Sequence, residues 1–146
     1  MDFNSTTTER YRKSVLMTGL LEGQNCGRSE EKIDFGETLY SSGVSLENDY
    51  TAHRIRSKGL YRSEASLIFT PCEDGDLTIQ MYLDDKTLPA SIRTYSVEFG
   101  KTYTFTTAAP AISCPTTADP CCELFVTSSG VAGRYSTVTL TTTKLA

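Results

Sequence analysis

The sequence predicts an all-β chain: an antiparallel, jelly-roll-like β-sandwich of about eight strands, preceded by an N-terminal arm or short helix. Three observations carry this. Between Asp76 and Thr107, Leu77, Ile79, Met81 and Leu83 alternate with Thr78, Gln80 and Tyr82. After a break at Asp84-Asp85-Lys86-Thr87-Leu88-Pro89 the alternation resumes through Tyr95, Val97 and Phe99, then Tyr103 and Phe105. A period of two puts the apolar members on one face and the polar ones on the other, as in a sheet with one wet side. Composition agrees, since Thr is heavily used and 8 Tyr and 6 Phe accompany it with no Trp. Such β-branched and aromatic residues fit a pleated, half-buried surface. Turn signals also recur roughly every 8 to 15 residues, close to the spacing of sandwich folds.

Taken in order, residues 1–32 differ from the rest and form an expected arm or docking segment, with the sandwich spanning 33–146. Thr6 and Glu9 have capping-box spacing, and Tyr11, Val15, Leu20 and Leu21 fall roughly on one helical face. Gly19 and Gly23 weaken a long helix, so an extended arm fits equally well. Ile33, Phe35 and Leu39-Tyr40 begin the strand signal, stopped at Ser41-Ser42-Gly43. Val44-Ser45-Leu46 is a short strand candidate, Asn48-Asp49 a turn, and Tyr50 to Ile55 another strand. Ala65, Leu67 and Phe69 mark a strong strand, made apolar on both faces by Ile68 and ended by Pro71. Cys72-Glu73-Asp74-Gly75-Asp76 is a tight acidic turn. The three strands that follow, through Thr107, read as an antiparallel meander. The prolines between Ala108 and Pro120 predict a loop and exclude a central strand. Cys122, Leu124 and Val126 predict an alternating strand. Tyr135 to Leu145 predicts a closing strand with Val138 and Leu140 inward and Thr outward.

A chain of 146 residues is long enough for one domain with a real core. Hydrophobic content of 38% and charge of 22% suit a globular protein. A formal net charge of −4 argues against nucleic acid as a partner, which needs a concentrated basic face. The cluster Arg10, Arg12, Lys13 is too short to reverse this, though it suits one acidic partner. No run approaches a membrane span, and Met1-Asp2-Phe3-Asn4 lacks the features of an export signal. Neither a membrane nor nucleic acid is therefore an expected partner, and folding in a cytoplasm is expected. The sequon Asn4-Ser5-Thr6 is then a chance match.

No constellation specifies a reaction, and no cofactor is expected. His53 is the one histidine, without a placed partner for acid–base work. Cys26, Cys72, Cys114, Cys121 and Cys122 are an odd set, not a clean disulfide framework. Adjacent cysteines chelate one zinc poorly, so free thiols or a buried or intersubunit cluster are expected. Oxidation between Cys72 or Cys114 and the Cys121/Cys122 pair requires an oxidising compartment. Glu73, Asp74, Asp76, Asp84 and Asp85 lack EF-hand spacing and read as turn residues. Nucleophile elbows, P-loops and dinucleotide fingerprints are absent.

The run Leu77-Thr-Ile-Gln-Met-Tyr-Leu-Asp-Asp85, then Leu88-Pro-Ala90, Phe99-Gly-Lys-Thr-Tyr-Thr-Phe105 and Cys121-Cys122-Glu-Leu-Phe-Val126, resembles small β-sandwich virion proteins of tailed bacteriophages. In those, Tyr-Leu-Asp-Gly ends a strand, where Asp84-Asp85 stands here. The resemblance covers roughly residues 65 to 146, with structural motifs rather than catalytic ones. It implies a non-enzymatic virion protein (capsid decoration, head fibre or tail-associated), made in the host bacterial cytoplasm. The expected partners are other virion proteins, capsid or tail subunits, and further copies of the chain in a homo-oligomer. Arg10, Tyr11, Arg12, Lys13, Val15, Leu16, Leu20 and Leu21 are the candidate partner-binding residues. The alternative is a receptor- or carbohydrate-binding module, with a glycan as partner.

Overall fold

A computed structural model describes residues 14–146. Thirteen strands follow in order: β1 (Val15–Leu20), β2 (Gln24–Cys26), β3 (Glu31–Lys32), β4 (Glu37–Ser42), β5 (Leu46–Asn48), β6 (His53–Ile55) and β7 (Gly59–Pro71). The second half holds β8 (Gly75–Leu83), β9 (Lys86–Thr87), β10 (Arg93–Val97), β11 (Tyr103–Ser113), β12 (Cys122–Ser129) and β13 (Gly133–Lys144). One turn of 3-10 helix, Pro89–Ser91, lies between β9 and β10, started by the fixed φ of its proline.

The strands build two antiparallel sheets. One runs β11-β7-β13-β1-β4 with β2 beside β13; the other runs β10-β8-β12-β6-β5 with β3 and β9 attached. Eight of these strands pair from the outside inward along the chain: β1 with β13, β6 with β12, β7 with β11, and β8 with β10. That wrapped pairing is the jelly roll, and the remaining five strands are additions to its margins.

Alternation fills the space between the sheets. On β7, Tyr61, Ala65, Leu67 and Phe69 are fully buried, and on β8 so are Leu77, Ile79 and Met81. Leu124, Val126, Val138 and Leu140 complete the layer, as the period-two reading of β12 and β13 required. Each fully buried side chain of this size contributes about 1.5–3 kcal/mol. Gly133 is a packing glycine: a Cβ there would lie 2.4 Å from the Phe69 ring. Phe69 in turn packs on Tyr135, centroids 4.8 Å apart.

Polar side chains also cross the core. His53 of β6 reaches the opposite sheet, with Nε2 2.8 Å from Thr18 Oγ1 and Nδ1 2.8 Å from Thr142 Oγ1. Thr142 Oγ1 continues to Ser63 Oγ at 2.7 Å. Burial without a charged partner pushes the imidazole pKa down to about 3.

Several elements differ from the expectations. No helix occupies 14–21; Val15–Leu20 is a strand hydrogen-bonded on both sides, to β13 and β4. Gly19 admits Leu39 there, since a Cβ would sit 2.6 Å from its Cδ1. The pairings of β1, β2 and β3 place residues 14–32 inside the sandwich, across the boundary expected at 32/33. The rest of the expected arm, residues 1–13, lies outside the described residues.

The meander is also not formed as read. β8 and β10 pair, but β11 crosses to the other sheet and pairs with β7 over its whole length. Residues 108–113 extend β11 rather than forming a loop, because an edge strand tolerates Pro110. Phe99, expected inward, lies past the end of β10 and is 69% exposed. The short turn at Asp84 does hold, with φ of 56°, a conformation that Asp tolerates.

Candidate functional site

The outward faces of the two sheets are chemically unlike. On the β4-containing sheet the outward positions form rows by register: Tyr40, Met17, Thr141, Glu64 and Ala108 in one, and Gly19, Thr139, Ser66 and Thr106 in the next. Val15, Thr143, Arg62 and Pro110 make a third row. Hydroxyls and small or apolar groups therefore cover five strands. Arg62 and Glu64 pair with each other at 3.3 Å, and the other charges, Glu37 and Arg134, stand at the margins. Leu39 and Tyr40, at 51% and 57% exposure, add an apolar edge on β4.

The other sheet carries clusters of paired charges on its outward side. Arg54 lies 3.4 Å from Asp49 and Glu123 and 3.6 Å from Glu47, which also holds Arg56 at 2.7 Å. Glu30 Oε2 accepts from Tyr82 Oη, Gln80 Nε2 and Thr127 Oγ1, and those donors, Tyr82 foremost, hold its carboxyl below the usual range. Lys32 caps the Phe125 ring at 4.1 Å, and that ring stacks on Tyr82. Beside them, Arg28 pairs with Glu73. Hydrogen bonds from Arg28 and then from the Ala132 N–H bring the Glu73 pKa down to about 2.

Among the sequence-predicted residues, Arg10, Tyr11, Arg12 and Lys13 lie outside the described residues. Leu16 points into the sandwich and is 2% exposed, and Leu20 packs against the core, so neither side chain is presented to a partner. Val15 is half-buried on the Thr-rich face, and Leu21, just past β1, is 72% exposed. Thr-rich outer strand faces suit solvent, subunit contacts or polar partners by sequence alone, without naming which strands make one face. The outward Thr residues were legible on β13, but the joining of β1, β4, β7 and β11 beside them is a product of long-range pairing.

The residues weighed for chemistry occupy structural roles. His53 is a buried link between sheets. Asp84 Oδ1 accepts from the Glu123 N–H at 2.8 Å, and Asp74 Oδ1 from the Phe99 N–H at 2.7 Å. All five cysteines are free thiols, with Cys122 buried and Cys72 and Cys114 exposed. Among the described residues no three His, Cys, Asp or Glu side chains converge to hold a metal ion.

The wrapped pairing and the two unlike faces define the class: a jelly-roll β-sandwich module. No protein-family model and no curated protein matches the chain. Solved structures do. Murine APRIL at pH 5.0 is similar with a TM-score of 0.69 at 13% identity, covering 92% of this chain and 100% of that one. Eiger TNF from S. frugiperda gives 0.62 at 11% identity over 92% of each chain. PRD1 vertex protein P5 gives 0.61 at 11% identity, covering 91% of this chain and 97% of that one. At such identities the likeness shows the fold.

Proposed function

We infer that this chain is a non-enzymatic virion structural protein that self-associates through the Thr-rich face of the β4-containing sheet. The observation that carries the reading is the contrast of faces. A face of mostly hydroxyl and apolar groups, with the Arg62–Glu64 ion pair among them, loses less solvation on burial than the opposite face with its several charged groups. The fold likeness to a PRD1 vertex protein supports the virion setting. The N-terminal segment, with Arg10, Tyr11, Arg12 and Lys13, then docks onto a capsid or tail subunit during assembly in the host cytoplasm.

The test is the mass in solution by light scattering over a range of concentrations, for the wild-type chain and for Thr139→Lys. The wild type is expected as a closed oligomer of the 16.1 kDa chain, and the variant, with an ammonium in the middle of the face, as a monomer. A monomeric wild type, or an oligomer indifferent to the lysine, overturns self-association by this face. Docking is tested by deleting residues 2–13 only, since β1 belongs to the sheet. Normal virion incorporation of that deletion overturns the docking role.

A further inference from the structure

At the end of the sandwich where β13 begins lies a cleft of about 650 Å³, within the range of small-ligand sites. Its lining residues include Pro71, Gly133, Phe99, Arg134, Asn25 and Ser136. Among the described residues, no Asp or Glu lines this cleft.

The Phe99 side of the cleft is built rather than incidental. The turn bearing Phe99 is tied down on several sides: its own N–H to Asp74 Oδ1 at 2.7 Å, the Gly100 N–H to Pro71 O at 3.1 Å, and the Glu98 N–H to Tyr103 Oη at 2.9 Å. Lys101 is neutralised within the same turn by Glu98 at 2.8 Å. Phe99 is nevertheless 69% exposed, so an apolar ring on a tied-down turn faces water. The Arg134 guanidinium packs against Gly23, where a Cβ would collide with it. Arg28, Arg54, Arg56 and Arg62 each pair with a carboxylate. Arg134, among the described residues, has only a long contact of 3.5 Å to Asn25 Oδ1.

We propose that this cleft binds an acidic saccharide. A pyranose ring offers an apolar C–H face that stacks on an aromatic plate, and hydroxyls that suit the amide of Asn25 and the hydroxyl of Ser136. Its carboxylate matches the planar donor fork of Arg134. A wholly apolar ligand leaves the guanidinium unused, and a bare anion leaves Phe99 unused. The proposal rests on the cleft alone and stands apart from the virion role.

The experiment is saturation-transfer NMR and calorimetry on the full chain with sialyllactose and with lactose, a matched acidic and neutral pair. Sialyllactose is expected to bind and lactose to bind about tenfold more weakly or less. Phe99→Ala and Arg134→Gln should each weaken sialyllactose by about tenfold, and Arg134→Gln should also abolish the preference over lactose. Both side chains are exposed, and circular dichroism melts matching wild type establish that the variants are folded. Failure of sialyllactose to bind, equal binding of both sugars, binding untouched by both substitutions, or equal competition by acetate overturns the proposal.

Discussion

Lowering the pH should destabilise this protein through one side chain. His53 is the chain's one histidine, fully buried between hydroxyls of the opposite sheet. Its folded pKa is about 3, against 6.5 for the free imidazole. The unfolded state therefore binds the extra proton throughout the window between those values, and stability falls as pH falls through it. One pKa unit corresponds to about 1.4 kcal/mol, so moving from pH 7 to pH 5 costs about 2 kcal/mol. The full window costs about 5 kcal/mol, comparable to the whole stability of a small domain. The carboxylates do not obscure the upper part of this range. Glu30 and Glu73 have lowered pKa values, so their contributions are lost only as pH falls below their ordinary value of 4.5. Urea unfolding at pH 7, 6 and 5 measures the slope for the wild type and for His53→Gln. Glutamine cannot titrate, so the variant should lose stability at pH 7 yet show a nearly flat profile down to pH 5. A wild-type profile that is already flat, or a slope that survives the substitution, would refute the reasoning.

Leu67→Ala, at a fully buried position of β7, should cost about 2–5 kcal/mol by denaturant unfolding, with an unchanged m-value. Gly133→Ala should lower the thermal midpoint, because the new methyl meets the Phe69 ring at 2.4 Å and the Thr70 carbonyl at 2.6 Å. Pairing it with Phe69→Leu should recover part of the loss, and a midpoint for the single variant equal to wild type would contradict that packing. Asp84→Ala should cost about 1–2 kcal/mol, removing the acceptor for the Glu123 N–H and placing a less tolerant residue at φ of 56°. Calorimetry reads it, and a neutral result would deny the turn its role.

What the sequence by itself determined is local. Side chains on adjacent residues of a strand must point to opposite faces, so Leu77, Ile79 and Met81, or Val138 and Leu140, declared their burial without any knowledge of partners. Turn chemistry was equally legible where a special backbone was required, as at Asp84-Asp85. The first strand was less so: Val15–Leu20 is short and carries a glycine, and its apolar residues also fit a helical face, so only its seat between β13 and β4 resolves the ambiguity. Phe99 misled because alternation does not announce where a strand stops, and β10 ends at Val97.

The tertiary structure decided which strands meet. Tyr103–Ser113 has the same period as its neighbours in sequence, yet its partner is β7, more than thirty residues earlier. The Thr-rich face and the Phe99–Arg134 cleft follow from such pairings. One assembles side chains from five strands, and the other brings together a turn after β10 and the start of β13. Period two assigns a residue to a face, but the hydrogen-bonding edges of a strand are the same for every sequence. The choice of neighbour is therefore made by packing of the whole core, which no local pattern contains.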